Sequence, residues 1–261
     1  MSVDATWDGT SMLTKGWTGH NINKDVLENQ DRFSLDTPGR DGAIEISKKF
    51  PPRVIQYEGR LSGTNYANLT GTIIPAFSSF MYEDSDVKLI FADETDRYFN
   101  AQFDKMTARR QESLFRIYDL FFICNDPFSY AVTADTDTQT GVTTDDTAFT
   151  ITNSGHYYAY PTITITFNQA QTHIYIQNNT ITGNRFDISR SFASADSLAI
   201  DCKAGTVKLN GSHSPAGIGD GGDGLAEWIV LAKGSNQLQV GSDDATIDID
   251  VVTTFNKVYL S

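Results

Sequence analysis

The sequence is poor in the residues that carry most catalytic and metal chemistry. It has two cysteines, Cys124 and Cys202, and four histidines, His20, His156, His173 and His213. Two cysteines far apart in apolar surroundings make no disulfide framework and read as buried thiols. No histidine stands in HxH or HExxH spacing or in a Cys/His cluster, so no metal-ligating pattern is present. A GxSxG elbow, a Walker loop and a dinucleotide fingerprint are all missing. No apolar run approaches the roughly 20 residues a membrane span needs. The opening MSVDATWDGT is polar from the start, so no export signal is expected. Basic residues are scarce too: 20 Lys+Arg against 33 Asp+Glu give a net charge of −13. Phosphate contacts need clustered lysine and arginine, which argues against nucleic-acid binding through a basic face. It leaves open an acidic wall past which DNA could slide without sticking.

The acidic clusters resemble cation or catalytic sites only in part. Asp135, Asp137 and Asp146 resemble an EF-hand ladder, but Gly141 falls at loop position 7 and no glutamate closes the loop. Gly217 to Gly224 resembles one turn of a calcium-binding β-roll, which needs stacked repeats. Both stretches are expected to be flexible loops. Asp243-Asp244 and Glu83-Asp84-Asp86 read as solvated turns rather than glycosidase pairs. The glycosylation patterns at Asn68, Asn178 and Asn210 read as chance occurrences. No catalytic residue, cofactor or metal is expected.

What is present is strand. Phe115 to Tyr130 (FRIYDLFFICNDPFSY) is apolar on both alternating faces from Leu120 to Cys124, which predicts a central strand covered on both sides. Pro127 must end it. Ala131 to Asp146 has few large apolar residues and reads as a hinge. Before it, residues 1–35 are weakly patterned: short strands with long loops, or an arm that orders against a neighbour. Thr37 to Gly42 is a turn cluster, and Arg53 to Leu61 alternates as a strand. Thr64 to Tyr82 is the one helical stretch. Thr64 is the expected cap, with Tyr66, Leu69, Ile73, Phe77 and Phe80 on one face. Gly71 and Pro75 predict a break or kink near Ile74. Val87 to Phe91 and Arg97 to Phe103 form a hairpin with Tyr98, Asn100 and Gln102 outward, and Thr107 to Ser113 is a polar link. After the hinge, about ten short alternating runs follow without a helix, Glu227 to Leu231 and Thr246 to Val251 among them. That pattern predicts an antiparallel two-sheet sandwich.

Four places in this order carry a resemblance. They are Arg53 to Leu69, Val87 to Phe103 with Asp96-Arg97-Tyr98-Phe99, and Phe115 to Tyr130 closed by Asp126-Pro127-Phe128. The fourth is the second half, with Thr152-Asn153-Ser154-Gly155, Tyr160-Pro161, Leu198 to Asp201, Asn210-Gly211 and Ala232 to Asn236. From about residue 40 the chain resembles the distal tail protein (Dit) family of bacteriophages with long, non-contractile tails. It departs at Glu227-Trp228-Ile229, where the family often has a Phe-Pro pair.

The resemblance implies a mainly β protein. Residues 1–131 would be a ring-forming β-sandwich with one helix at about 64–82, and residues 132–261 a galectin-like antiparallel β-sandwich. It implies a structural hub of the tail tip or baseplate: a homohexameric ring around a channel for DNA, located in the virion and assembled in the host bacterial cytoplasm. Its partners would be the tail tube protein and a tail-associated lysin, fibre or receptor-binding protein, with no membrane. Pro127, Phe128 and Tyr130 are the expected interdomain seam. The alternatives are a tail-tube subunit and a carbohydrate-binding sandwich acting in host adsorption, for which Tyr157, Tyr158, Tyr160 and Trp228 are the glycan-contact candidates.

Overall fold

The computed structural model describes residues 4–24, 30–36, 41–219, 226–244 and 246–260. The chain divides into two compact units, Met1–Val132 with Leu260–Ser261, and Thr133–Tyr259.

The first unit contains β1 (Ala5–Trp7), β2 (Thr10–Ser11), β3 (Trp17–Asn23), β4 (Asp31–Asp36), β5 (Ala43–Lys49) and β6 (Arg53–Ser62). It continues with β7 (Val87–Phe91), β8 (Arg97–Gln111), β9 (Phe115–Cys124) and β10 (Ser129–Ala131). The main sheet runs β2-β1-β7-β8-β9-β6-β3, with β10 added on β8. β8 is shared by two halves of this sheet. Its first residues pair β7, Leu89 opposite Phe99, and from Gln102 onward it pairs β9. The register slips between Phe103 and Lys105 and again between Ala108 and Arg110. Such irregularities bend a strand, and the two halves face each other. Trp7 of β1 lies 5.2 Å from Phe122 of β9, and Tyr57 of β6 lies 5.5 Å from Phe91 of β7. The predicted N-terminal sandwich is therefore one long sheet folded on a shared strand.

β9 is central, flanked by β6 and β8 as its composition predicts. Leu120, Phe122 and Cys124 are fully buried, whereas Phe121 and Ile123 are half-buried, so only one face is core. Burying one such side chain contributes about 1.5–3 kcal/mol. Gly59 sits mid-strand in β6 for a steric reason. A Cβ there would lie 2.5 Å from the Trp17 ring.

The helix packs into the same core through Leu69, Phe77 and Met81, and Phe77 stacks on Trp17 at 5.2 Å. Its details correct the sequence reading. Asn65, not Thr64, is the cap, its side chain accepting from the Asn68 N–H at 2.9 Å. Tyr66 is exposed, and Met81 takes its place in the core. The expected break is a change of hydrogen-bond pattern instead. Tyr66–Asn68 is α, Leu69–Ile73 is a π turn, and Ile74–Met81 is α again, with right-handed helical dihedrals at Ile73 and Ile74. Pro75 then sits in the first turn of the last segment, where its missing N–H costs little.

Two further corrections concern β8 and β10. Thr107 to Gln111 is strand rather than link, its polar side chains held in register against Asp119 to Arg116 of β9. Tyr98 is buried rather than outward. β10 folds back onto β8, placing Tyr130 opposite Tyr98 with their rings stacked at 5.7 Å.

β4 and β5 form a separate two-stranded sheet in which every residue is exposed. Leu35 stands opposite Ile44, with Phe33 and Ile46 two residues further along their strands. These four side chains are 42–66% exposed. The turn expected at 37–42 falls mostly outside the described residues.

The second unit contains β11 (Asp135–Val142), β12 (Thr147–Asn153), β13 (Thr162–Phe167), β14 (Gln171–Asn178) and β15 (Arg185–Phe192). β16 (Ser197–Asp201), β17 (Thr206–Leu209), β18 (Ser212–His213), β19 (Gly234–Gly241) and β20 (Ile249–Phe255) follow. Two antiparallel sheets form, β11-β20-β13-β16-β17-β18 and β12-β19-β14-β15. Phe167 of one and Phe192 of the other stack at 4.3 Å. The predicted alternation holds at Ile163, Ile165 and Phe167, all buried.

The flexible loop and hinge expected around Asp135–Asp146 are not found there. Asp135–Val142 is β11, paired with β20; Asp135 meets Lys257 at 3.1 Å and Asp137 accepts from Gln139 at 2.8 Å. Glu227 to Leu231 is not a strand, and the strand expected from Thr246 begins at Ile249. Most of the Gly217 to Gly224 stretch lies outside the described residues.

Candidate functional site

Among the described residues, no group of three or more His, Cys, Asp or Glu side chains is placed to hold a metal ion. Both cysteines are buried and neither is in a disulfide, and burial pushes Cys202 up to about 12, against a backbone hydrogen bond from Ile229. A thiol so held is protonated and inert at neutral pH. His173 is the most enclosed titratable cluster. The Asp243 N–H donates to its Nδ1 at 3.1 Å, which leaves Nε2 to donate to Asp187 at 3.2 Å. Arg185 also donates to both Asp187 oxygens, at 2.9 Å each. The nearby Ser242 hydroxyl donates to the His173 carbonyl at 2.7 Å rather than to the ring. This is a structural clamp on β14 and β15.

Of the expected seam residues, Phe128 meets Phe50 edge-on at 5.5 Å. Pro127 borders a small gap with Phe50, Arg53, Phe128 and Leu260. The Tyr130 hydroxyl donates to Asp126. These contacts all lie within the first unit.

The glycan-contact candidates fare differently. Tyr158, Tyr160 and Trp228 line one open pocket of about 590 Å³, together with Ile181, Asn184, Ala226, Glu227 and Val230. Tyr157 is not in it. It lines a neighbouring hollow with His156, Tyr158 and Lys233, and its ring meets Tyr158 edge-on at 5.3 Å. Burial raises the Tyr157 phenol above its ordinary value, and Tyr160 and Tyr158 add to this.

The pocket is built from extended segments that are not regular strands. Ala159 and Leu231 exchange backbone hydrogen bonds at 2.9 and 2.8 Å, and both are fully buried. With Ala159 inward, Tyr158 and Tyr160 point outward together, as strand alternation requires. They are 46% and 48% exposed. Trp228 packs on Phe186 at 5.1 Å. Four buried asparagines fix the rest. Asn184 donates to the Trp228 carbonyl and accepts from the Val230 N–H, both at 2.9 Å. Asn178 donates to the Val230 carbonyl at 2.7 Å, and Asn153 to the Tyr157 and Leu231 carbonyls at 2.9 and 3.1 Å. Asn236 donates to the Ala232 carbonyl at 2.7 Å and accepts from the Ala232 N–H at 2.8 Å. Asn153 and Asn236 stand within the quoted motifs and Asn178 within a glycosylation pattern, but the sequence alone assigns none of them this role. Asparagines inside apolar alternation were the available signal.

Residues 154–259 match the family described as the siphovirus-type tail component, C-terminal domain. A curated relative, the distal tail protein of Bacillus phage SPP1, is 26% identical over 212 residues, covering 80% of this chain and 79% of the relative. The chain is similar to distal tail proteins of bacteriophages, in its second half by the family model and over most of its length by the curated relative. The solved structure of SPP1 Dit shares the fold, with a TM-score of 0.78 and 19% identity, covering 97% of this chain and 98% of that one. Its title describes a hub of the adsorption apparatus in phages that infect Gram-positive bacteria. These relatives are proteins of a phage tail. The mainly β architecture and the two-sheet C-terminal sandwich expected from the sequence agree with that fold.

Proposed function

We propose that this chain forms a homohexameric ring at the tail tip. The ring joins the tail tube to a tail-associated lysin or fibre protein around a channel that DNA crosses. The hub role itself rests on the family. The ring rests on one observation, the β4–β5 hairpin. An isolated two-stranded hairpin is marginal in water, and this one carries Phe33, Leu35, Ile44 and Ile46 uncovered. Such an arm is stabilised when another surface covers its apolar residues. A second copy of the chain supplies that surface at the fixed stoichiometry a closed ring requires. The function is non-catalytic, and assembly takes place in the host cytoplasm. The acidic chain suits a channel that DNA passes without binding.

Negative-stain imaging and light scattering of the purified chain, alone and with tube protein, test this reading. Sixfold rings are expected. A strict monomer at high concentration, with no ring when tube protein is added, would count decisively against it.

A further inference from the structure

We propose that the pocket of Tyr158, Tyr160, Glu227 and Trp228 on the second unit binds a neutral saccharide. Neither the hub role nor the family match assigns a ligand to it. A pyranose has one C–H face and a rim of hydroxyls. It is recognised by flat rings that cover the face and by polar groups that reach the rim. Tyr158 and Tyr160 supply half-exposed rings, each with a phenol hydroxyl that can donate or accept, and Trp228 supplies a wall. Glu227, exposed at the margin, adds a carboxylate that accepts from sugar hydroxyls.

Three further observations favour this ligand. The volume of about 590 Å³ lies within the range of small-molecule sites and suits a short oligosaccharide. The frame is fixed beforehand: Asn184 holds the backbone on both sides of Ile229, Phe186 backs the Trp228 ring, and the Glu227 N–H donates to the Arg185 carbonyl at 2.9 Å. Binding to a fixed frame orders few side chains. Residues 131–261 carry a net charge of −8, and the exposed Glu227 lines the pocket, which disfavours phosphorylated or carboxylated sugars.

The chain contains its own reporter. Of its three tryptophans, Trp7 and Trp17 are fully buried in the first unit, so an added solute reaches Trp228 alone. The full chain is titrated with glucose, galactose, N-acetylglucosamine and their neutral oligomers while tryptophan emission is followed. At least one neutral probe is expected to give saturable quenching. Tyr160→Ala is expected to weaken that binding about ten-fold without moving the melting temperature. Glu227→Gln is expected to weaken it less, and a sulfated or sialylated analogue to bind worse than its neutral parent. Absence of quenching by every neutral probe at tens of millimolar would overturn the proposal, as would affinity indifferent to Tyr160→Ala. Concentration-dependent quenching without sugar, abolished by Tyr160→Ala, would also overturn it and assign the pocket to a second copy of the chain.

Discussion

The two units treat their apolar residues differently. Among the described residues, the first unit exposes Leu13, Phe33, Leu35, Ile44, Ile46, Val54, Tyr66, Tyr82, Leu114 and Val132. The second exposes two large hydrophobic residues, Tyr158 and Tyr160, and both belong to one pocket. A domain finished by its own folding hides its large apolar side chains, and exposed ones in number mark surfaces that association will cover. The first unit thus carries the apolar surface that the proposed ring would cover. The second leaves its two exposed large apolar rings at the proposed saccharide pocket.

The largest way to break this comparison is at the hairpin. The double substitution Ile44→Asp, Ile46→Asp is expected to abolish the oligomer outright while leaving the β-rich circular-dichroism spectrum unchanged. Sedimentation velocity reads the result; an intact ring would detach the hairpin from assembly.

A smaller perturbation asks whether the units stand separately. Phe122→Ala removes a ring in contact with Trp7 and Phe103 and is expected to cost the first unit about 3–5 kcal/mol. Asn178→Ala deletes donors to the Val230 carbonyl and the Asn236 side chain and is expected to cost the second unit about 1–3 kcal/mol. Calorimetry of the full chain should show each variant lowering a different transition. If both lowered the same one, the units would form a single cooperative block.

The smallest effect concerns pH. Burial alone would raise Asp244, but hydrogen bonds from Thr172, His173 and Ser242 hold it below its ordinary value. A depressed carboxylate stabilises above its unfolded value, and that contribution fades as pH falls from the ordinary 3.8 through the folded value. Asp244→Asn should therefore destabilise modestly at neutral pH and lose its effect in strong acid. Acid-unfolding curves that stayed equally separated at every pH would refute this assignment.

The sequence revealed elements where burial and period coincide. β9 was legible because both faces are apolar, and the helix because its spacing is 3 and 4. Reading failed where hydrogen bonds do not follow the apolar pattern. β11 is polar on both faces, yet its ladder to β20 makes it a strand. Ile229 and Leu231 alternate and are buried like strand residues, but side-chain amides satisfy much of their segment. Tyr98 was placed outward because nothing local shows that β10 returns to cover it. At the site, the sequence offers Tyr158, Tyr160 and Trp228 as aromatics of the second half that would line an open face. Their meeting in one pocket was not legible, because it depends on the Ala159–Leu231 bridge across 72 residues. Tyr157 was named with them and belongs next door.

The asparagine scaffold separates shape from chemistry. In a strand, changing a residue risks register, because neighbouring backbones hold one another. Here Asn153, Asn178, Asn184 and Asn236 grip the backbone from inside the sandwich, while the half-exposed Tyr158 and Tyr160 rings and the exposed Glu227 side chain project from that frame. The outward residues can be exchanged with little effect on the fold. The proposed saccharide pocket is then a constant mount beneath an interchangeable face.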